Sequence, residues 1–307
     1  MASGGSIRAI VAALVANAGI ATAKFIGFAI TGSSSMLAEA VHSVADTSNQ
    51  GLLLLGTRTA KRAPTEAHPF GYGRDRYFYS FVVALLLFSL GAVFALYEGT
   101  EKLRHPHELT SPWVAVGILV VAIGLETFSF RTAIVESNKV RGNATWWQFI
   151  RQAKTPELPV VLLEDAGALF GLVFALAGVS LTMITGDPVW DAVGTLGIGI
   201  LLAVIAVILI IEMKSLLIGE GANPAVLRTI VDELEVGRIQ RVIHIRTQYI
   251  GPEELLVAAK VALTPALSIT DVASAIDEAE SRVRAKVPDA RLIYLEPDLD
   301  RTPATTA

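Results

Sequence analysis

The residues most able to do chemistry sit close together near the N-terminus. His42 and Asp46 are four apart in the stretch Ser33 to Gln50, so on a helix they project from one face. Glu39 and Asn49 lie three residues outside that pair on nearly the same face. The stripe therefore presents carboxylate, imidazole, carboxylate and amide. A second acidic pair, Glu164-Asp165, is followed by Ala166-Gly167. Neighbours on a helix point about 100° apart, so only one of these two can aim fully at the face of His42 and Asp46. Imidazole with two or three carboxylates around a cavity is nitrogen and oxygen ligation suited to Zn2+, Mn2+, Fe2+ or Co2+. The structural alternatives are an interhelical hydrogen-bond stripe for the first group and a salt bridge from Asp165 to Lys24 or a loop arginine for the second.

These groups lie in an apolar setting. The chain has 307 residues, 52% hydrophobic and only 18% charged, with a formal charge of −4 and no cysteine. That excludes disulfides and thiolate metal sites and argues against a nucleic-acid partner. The last 87 residues hold 23 of the 54 charged side chains, so a membrane domain over 1–220 is expected to precede a soluble domain over 221–307. A membrane helix needs about 20 mostly apolar residues. Six segments qualify, near 7–31, 34–57, 77–98, 112–135, 158–184 and 189–213, the first continuing without a signal-peptide cleavage site. Ionisable residues inside such spans are functional by default. By this measure Lys24 should face the bundle and pair with a carboxylate, Asn17 lies near it, and Glu126 is an acid without an assigned partner.

Arg58, Lys61, Arg62, Arg74 and Arg76 follow span two, and Arg131, Lys139, Arg141, Arg151 and Lys154 follow span four. The positive-inside rule puts both loops, both termini and the tail in the cytoplasm. The membrane lipid is thus one partner, and a bacterial plasma membrane the expected location. In the tail, Asn223-Pro224 opens a helix to about Glu235, strands follow at 239–249 and 254–263, Ser268 or Thr270 caps a helix to about Lys286, and Arg291–Glu296 is a third strand. The expectation is an α-β-β-α-β, ferredoxin-like α+β domain with both helices on one face of the sheet. Its open edges favour a homodimer.

Together these features resemble the cation diffusion facilitator family of metal-ion/proton antiporters. The resemblance rests on six spans with inside termini, the α-β-β-α-β tail, Ser34 to Asp46 in span two, His68-Pro69-Phe70-Gly71-Tyr72-Gly73-Arg74 in the loop after it, and Asp165-Ala166 in span five. It implies a tetrahedral transport site of two i, i+4 pairs, and His42, Asp46 and Asp165 carry over. The fourth position is Val161, a departure; either three protein ligands and water hold the ion, or Glu164 substitutes. The Glu-Asp pair is similar to the ZnT-9-like subgroup. His68 matches a loop histidine that binds metal in some members, but Tyr72 stands where a second histidine often does, which favours a structural role. The tail has one histidine, His244, and Tyr294 precedes Glu296, so no binuclear cluster is expected there. His105 and His107 lie outside the bundle, able to capture ions only weakly.

The resemblance implies efflux of a divalent cation, Zn2+ first, against inward protons, and no cofactor beyond the cargo. Metal binding needs neutral imidazole and ionised carboxylates, so one set of groups can hold either the cation or protons. The competing readings are a membrane-embedded metal-dependent hydrolase, for which no His-Glu-x-x-His motif or second base is present, and a non-transporting sensor or scaffold. Glu39, Asn49, Asn17 and His68 are the candidate pathway residues.

Overall fold

The computed structural model describes residues 2–31, 34–106 and 112–299, with the backbone only at 2–3, 31, 34–42 and 45. The chain divides into two compact units. One holds the first two helices and residues 75–214; the other holds 63–74 and 215 onward.

In the first unit α1 (Ala2–Thr31) and α2 (Ser34–Thr59) are followed by α3 (Asp75–Leu86), a π-helical segment (Leu87–Val93) and α4 (Phe94–Arg104). The last three form one continuous rod. Then come α5 (Pro112–Arg141), a short α6 (Trp146–Gln152), α7 (Glu157–Thr185) and α8 (Val189–Ile218). α1 packs on α2 and α5, and α5 on α7. Among the described residues five helices are long and apolar enough to cross a membrane: α1, the Asp75–Arg104 rod, α5, α7 and α8. α2 has the length, but Glu39, His42, Asp46, Asn49 and Gln50 lower its apolarity. The expected sixth span is thus the one that carries the polar stripe.

Several boundaries differ from the sequence expectation. Span three runs to Arg104 and span four to Arg141, because Glu101, Lys102, Glu136 and Lys139 are good helix formers that continue a helix beyond lipid. Arg131 and Lys139 are therefore helical residues, not loop charges. Arg76 is also no loop charge. It is buried in α3 and forms a two-pronged ion pair with Glu157 at the start of α7, its Nη2 donating to Oε2 at 2.7 Å and its Nε to Oε1. Pro159 lies inside the first turn of α7, where a missing N–H costs nothing. The helix ends at Gly186, whose left-handed φ of 72° closes the cap. α6 is too short for periodicity to predict, but its capping box of Thr145 and Gln148 is a readable signal.

α7 and α8 approach at backbone distance. A Cβ on Gly178 would stand 2.9 Å from the Trp190 carbonyl oxygen, and one on Gly194 2.9 Å from that of Phe174. α8 also meets α4 closely, where Gly99 abuts Leu196 and Gly199 abuts Leu96. Small residues permit such contact between membrane helices.

The second unit follows the expected order: α9 (Pro224–Leu234), β1 (Ile239–Gly251), β2 (Glu254–Leu263), α10 (Ile269–Lys286) and β3 (Leu292–Asp298). β1 pairs with β2 antiparallel, and β2 with β3 in parallel across the α10 crossover, giving the sheet order β1-β2-β3. Ile230 and Leu234 of α9 and Ala279 and Val283 of α10 share one core with Leu255, Val257 and Val261 of the sheet. Asn223 caps α9 by accepting from the Ala225 and Val226 amides. Ser268, rather than Thr270, caps α10 in a box with Asp271. The Ser268 hydrogen bonds hold the Asp271 carboxyl below its ordinary pKa.

Candidate functional site

A cavity of about 350 Å3 opens inside the helical unit. Its polar lining comes from six helices: Asn17 and Lys24 of α1, Ser43 and Asp46 of α2, Glu126 of α5, Glu164 of α7, and an outlying group of Glu98 and Lys102 on α4 with Asp191 and Thr195 on α8. Lys24 thus faces the bundle as expected. Asp46 is half-buried, while Glu126 and Glu164 are buried. The carboxylates of Asp46, Glu126 and Glu164 lie within electrostatic reach of one another.

The two adjacent acids of α7 diverge as helical geometry requires. Glu164 turns toward α2: Asn49 Nδ2 donates to its Oε1 at 3.1 Å and Gln50 Nε2 to its Oε2 at 2.9 Å. Asn17 extends this network, its Nδ2 donating to Gln50 Oε1 at 3.3 Å. Asp165 turns instead toward α5, where Ser129 Oγ donates to its Oδ2 at 2.6 Å. It is buried and is not among the cavity-lining residues. Val161, the position of the absent fourth ligand, is wholly buried.

The structure therefore brings together Asn17, Asp46, Asn49 and Glu164, and holds Asp165 one helix face away. The side chains of His42 and Glu39 lie outside the described residues, as does His107. Among the described residues no three His, Asp or Glu side chains cluster closely enough to hold a metal ion. His68 belongs to the other unit. It stacks against Tyr72 with ring centroids 4.6 Å apart, and its amide donates to Thr65 Oγ1 at 3.2 Å. These contacts tie His68 into its own loop, and Gly71, with φ of 78°, supplies the turn beside it. His105 is exposed and pairs with Glu101 at 2.8 Å.

Sequence reasoning missed Gln50 and Ser129, the donors that fix the two α7 acids. Gln50 follows Asn49 directly, and that neighbour was the available signal. It also missed the outlying group, where Lys102 Nζ lies 3.0 Å from Asp191, 3.4 Å from Glu98 and 3.3 Å from Thr195 Oγ1. In the tail, His244 lines a shallow groove with Arg246, Lys260, Tyr294 and Glu296. Lys260 there bonds Glu296 at 3.0 Å, which raises the lysine's pKa.

The family model of the cation efflux transmembrane domain matches residues 10–218. The chain is similar to the mitochondrial proton-coupled zinc antiporter SLC30A9 of Xenopus laevis, with 37% identity over 72% of this chain and 40% of that protein. It is 32% identical to metal tolerance protein C4 of Arabidopsis thaliana, over 71% of this chain and 48% of that one. It is 24% identical to magnetosome protein MamB of Magnetospira sp. (strain QH-2), over 91% and 90% of the two chains. The chain thus spans less than half the length of the first two relatives. Among solved structures, the copper form of the MamM CTD overlaps 27% of this chain and 90% of its own, with a TM-score of 0.24 and 20% identity. With the family model covering most of the helical unit and relatives above 30% identity over more than two thirds of its length, this multi-pass membrane chain belongs to the cation efflux, or cation diffusion facilitator, family.

Proposed function

We propose that the protein carries a divalent transition-metal cation out of the cytoplasm in exchange for protons, with Zn2+ the first choice and Mn2+, Fe2+ and Co2+ as alternatives. The observation that supports this reading is the buried cavity into which Asp46 of α2 and Glu164 of α7 both turn. Acidic groups sequestered from water bind either a divalent cation or protons, and exchange between the two couples the fluxes. In this reading His42, Asp46 and Asp165 hold the cation, with Glu164 substituting for the ligand absent at Val161. Glu39, Asn49 and Asn17 belong to the pathway, and the bundle alternates access around the site.

We assign transport to residues 1–220, with α2 as the sixth span, and a homodimerising, regulatory role to 221–307. The basic residues flanking α2 and α5 orient both termini inward. Zinc first is favoured by the named activity of the SLC30A9 relatives, whereas the kinship to MamB keeps the panel of metals open.

The test is flux into proteoliposomes loaded with a metal-sensitive dye, with and without an imposed pH gradient. Wild-type protein should carry metal in faster when the liposome interior is the more acidic side, so that protons leave as metal enters. Asp46→Ala and Asp165→Ala should abolish flux while eluting as folded protein. Flux that persists in both variants would overturn the assigned site, and flux indifferent to the gradient would overturn proton exchange. A competition series with Zn2+, Mn2+, Fe2+, Co2+ and Cd2+ ranks the cargo.

A further inference from the structure

Three observations converge on one residue outside the family pattern. Glu126 of α5 is 1% exposed, yet it lines the cavity shared with Asp46 and Glu164. Its Oε2 has no hydrogen-bond partner among the described residues. The two α7 acids, by contrast, are already committed: both Glu164 oxygens accept from amides of α2, and Asp165 accepts from Ser129.

A buried carboxylate oxygen without a donor is costly unless a proton or a cation answers it. The cost rises here because Glu126 lies within electrostatic reach of Asp46, Glu164 and Asp165. Its place on the helix is not accidental. Ala122, Glu126, Ser129 and Ala133 form one buried face of α5, with the small residues admitting α1 and α7. Ser129 on that face already serves Asp165, and Glu126 stands one turn away with room beside it. The span-five position that would hold a fourth ligand is meanwhile the buried, apolar Val161.

We propose that Glu126 is a cation-binding carboxylate of this cavity, adding from α5 a ligand to those that α2 and α7 supply. The proposal rests on the transport reading above but adds a helix that the reading does not use. It also predicts that the ion is held between α2, α5 and α7, rather than between α2 and α7 alone.

The test is isothermal titration of Zn2+ and of Mn2+ into purified full-length protein in detergent, for wild type, Glu126→Gln and Glu126→Asp. Elution volume and melting temperature are checked alongside. The expected result is that Glu126→Gln, which keeps shape but loses charge, weakens Zn2+ binding about 10-fold or more. Glu126→Asp should recover part of that loss and alter the ratio of Zn2+ to Mn2+ affinity. If Glu126→Gln binds both ions within about two-fold of wild type, the proposal is overturned while the transport reading stands. If Glu126→Gln does not survive purification, Glu126→Asp decides: both affinities unchanged overturn the proposal. Wild-type protein that binds neither ion overturns both readings.

Discussion

The ion pair of Arg76 and Glu157 offers the most direct quantitative check on how the helical unit is held together. Both side chains are almost wholly buried, at 9% and 1% exposure. The guanidinium meets the carboxylate with two donors, one of them at 2.7 Å, and Thr57 Oγ1 adds a longer contact at 3.4 Å. Arg76→Met removes both strong donors and leaves Glu157 buried with Thr57 as its hydrogen-bond donor among the described residues. Stranding a buried charge in this way costs about 3–5 kcal/mol. For a unit of roughly 200 residues each kcal/mol moves the melting temperature by about 2–4 °C, so the loss should be about 6–20 °C. Arg76→Met with Glu157→Leu removes both charges and should restore most of that loss, since well-packed apolar substitutes for a buried pair are often neutral or better. Thermal denaturation of the full chain in detergent, followed by size-exclusion of the surviving fraction, reads both values. A single variant that melts within about 2 °C of wild type, or a double variant as unstable as the single, would refute the argument.

Three further outcomes concern the buried acid of α7, the cavity end at Lys102 and the α10 cap. Glu164→Gln leaves an amide that cannot accept equally from Asn49 and Gln50, so it should destabilise the bundle by about 1–3 kcal/mol and reduce metal flux, read by melting and by the dye assay. Lys102→Met removes a cation from the cavity end formed by α4 and α8 and leaves Asp191 and Glu98 acidic. Apparent affinity for divalent cations from that side should rise several-fold at low salt and the gain should fade toward about 1 M salt, where screening is nearly complete; a salt-independent change would argue against an electrostatic cause. The α10 capping box should be acid-sensitive. Asp271 is held below its ordinary pKa chiefly by Ser268, so its contribution is present above the unfolded value of about 3.9 and is lost as pH falls through the lower folded value. Hydrogen exchange at the Asp271 and Val272 amides should therefore quicken below about pH 4 in wild type, and show no such step in Asp271→Ala.

Much of this architecture could be read from local chemistry. The α-β-β-α-β tail was legible because each helix starts at a side-chain cap, Asn223 or Ser268, and each strand is bounded by turn residues. Asp46 stood out as a cavity acid because charges are so rare in an apolar span. What local chemistry could not decide was tertiary. Helical spacing shows that Glu164 and Asp165 diverge, but which of them meets α2 depends on where Asn49, Gln50 and Ser129 lie across the interfaces. Glu126 stood out as an acid in a span, yet only packing reveals that it shares a cavity with Asp46. Arg76 read as a loop charge because its partner lies 81 residues away. α6 is too short for a periodic signal, and the π-helical segment in span three has no sequence mark at all.

The glycine contact between α7 and α8 has a mechanical consequence. Where two backbones touch at Gly178 and Gly194, no side chain remains to change rotamer and absorb a displacement, so one helix cannot slide along the other without carbonyl oxygens colliding. α7 and α8 therefore behave as a single strut, with α4 keyed to it at Gly99 and Gly199. Glu164 rides on that strut together with Asp191. The spacing between the buried acid and the cavity end near Lys102 is then a fixed length, and whatever opens and closes around it must move α1, α2 and α5 relative to that strut.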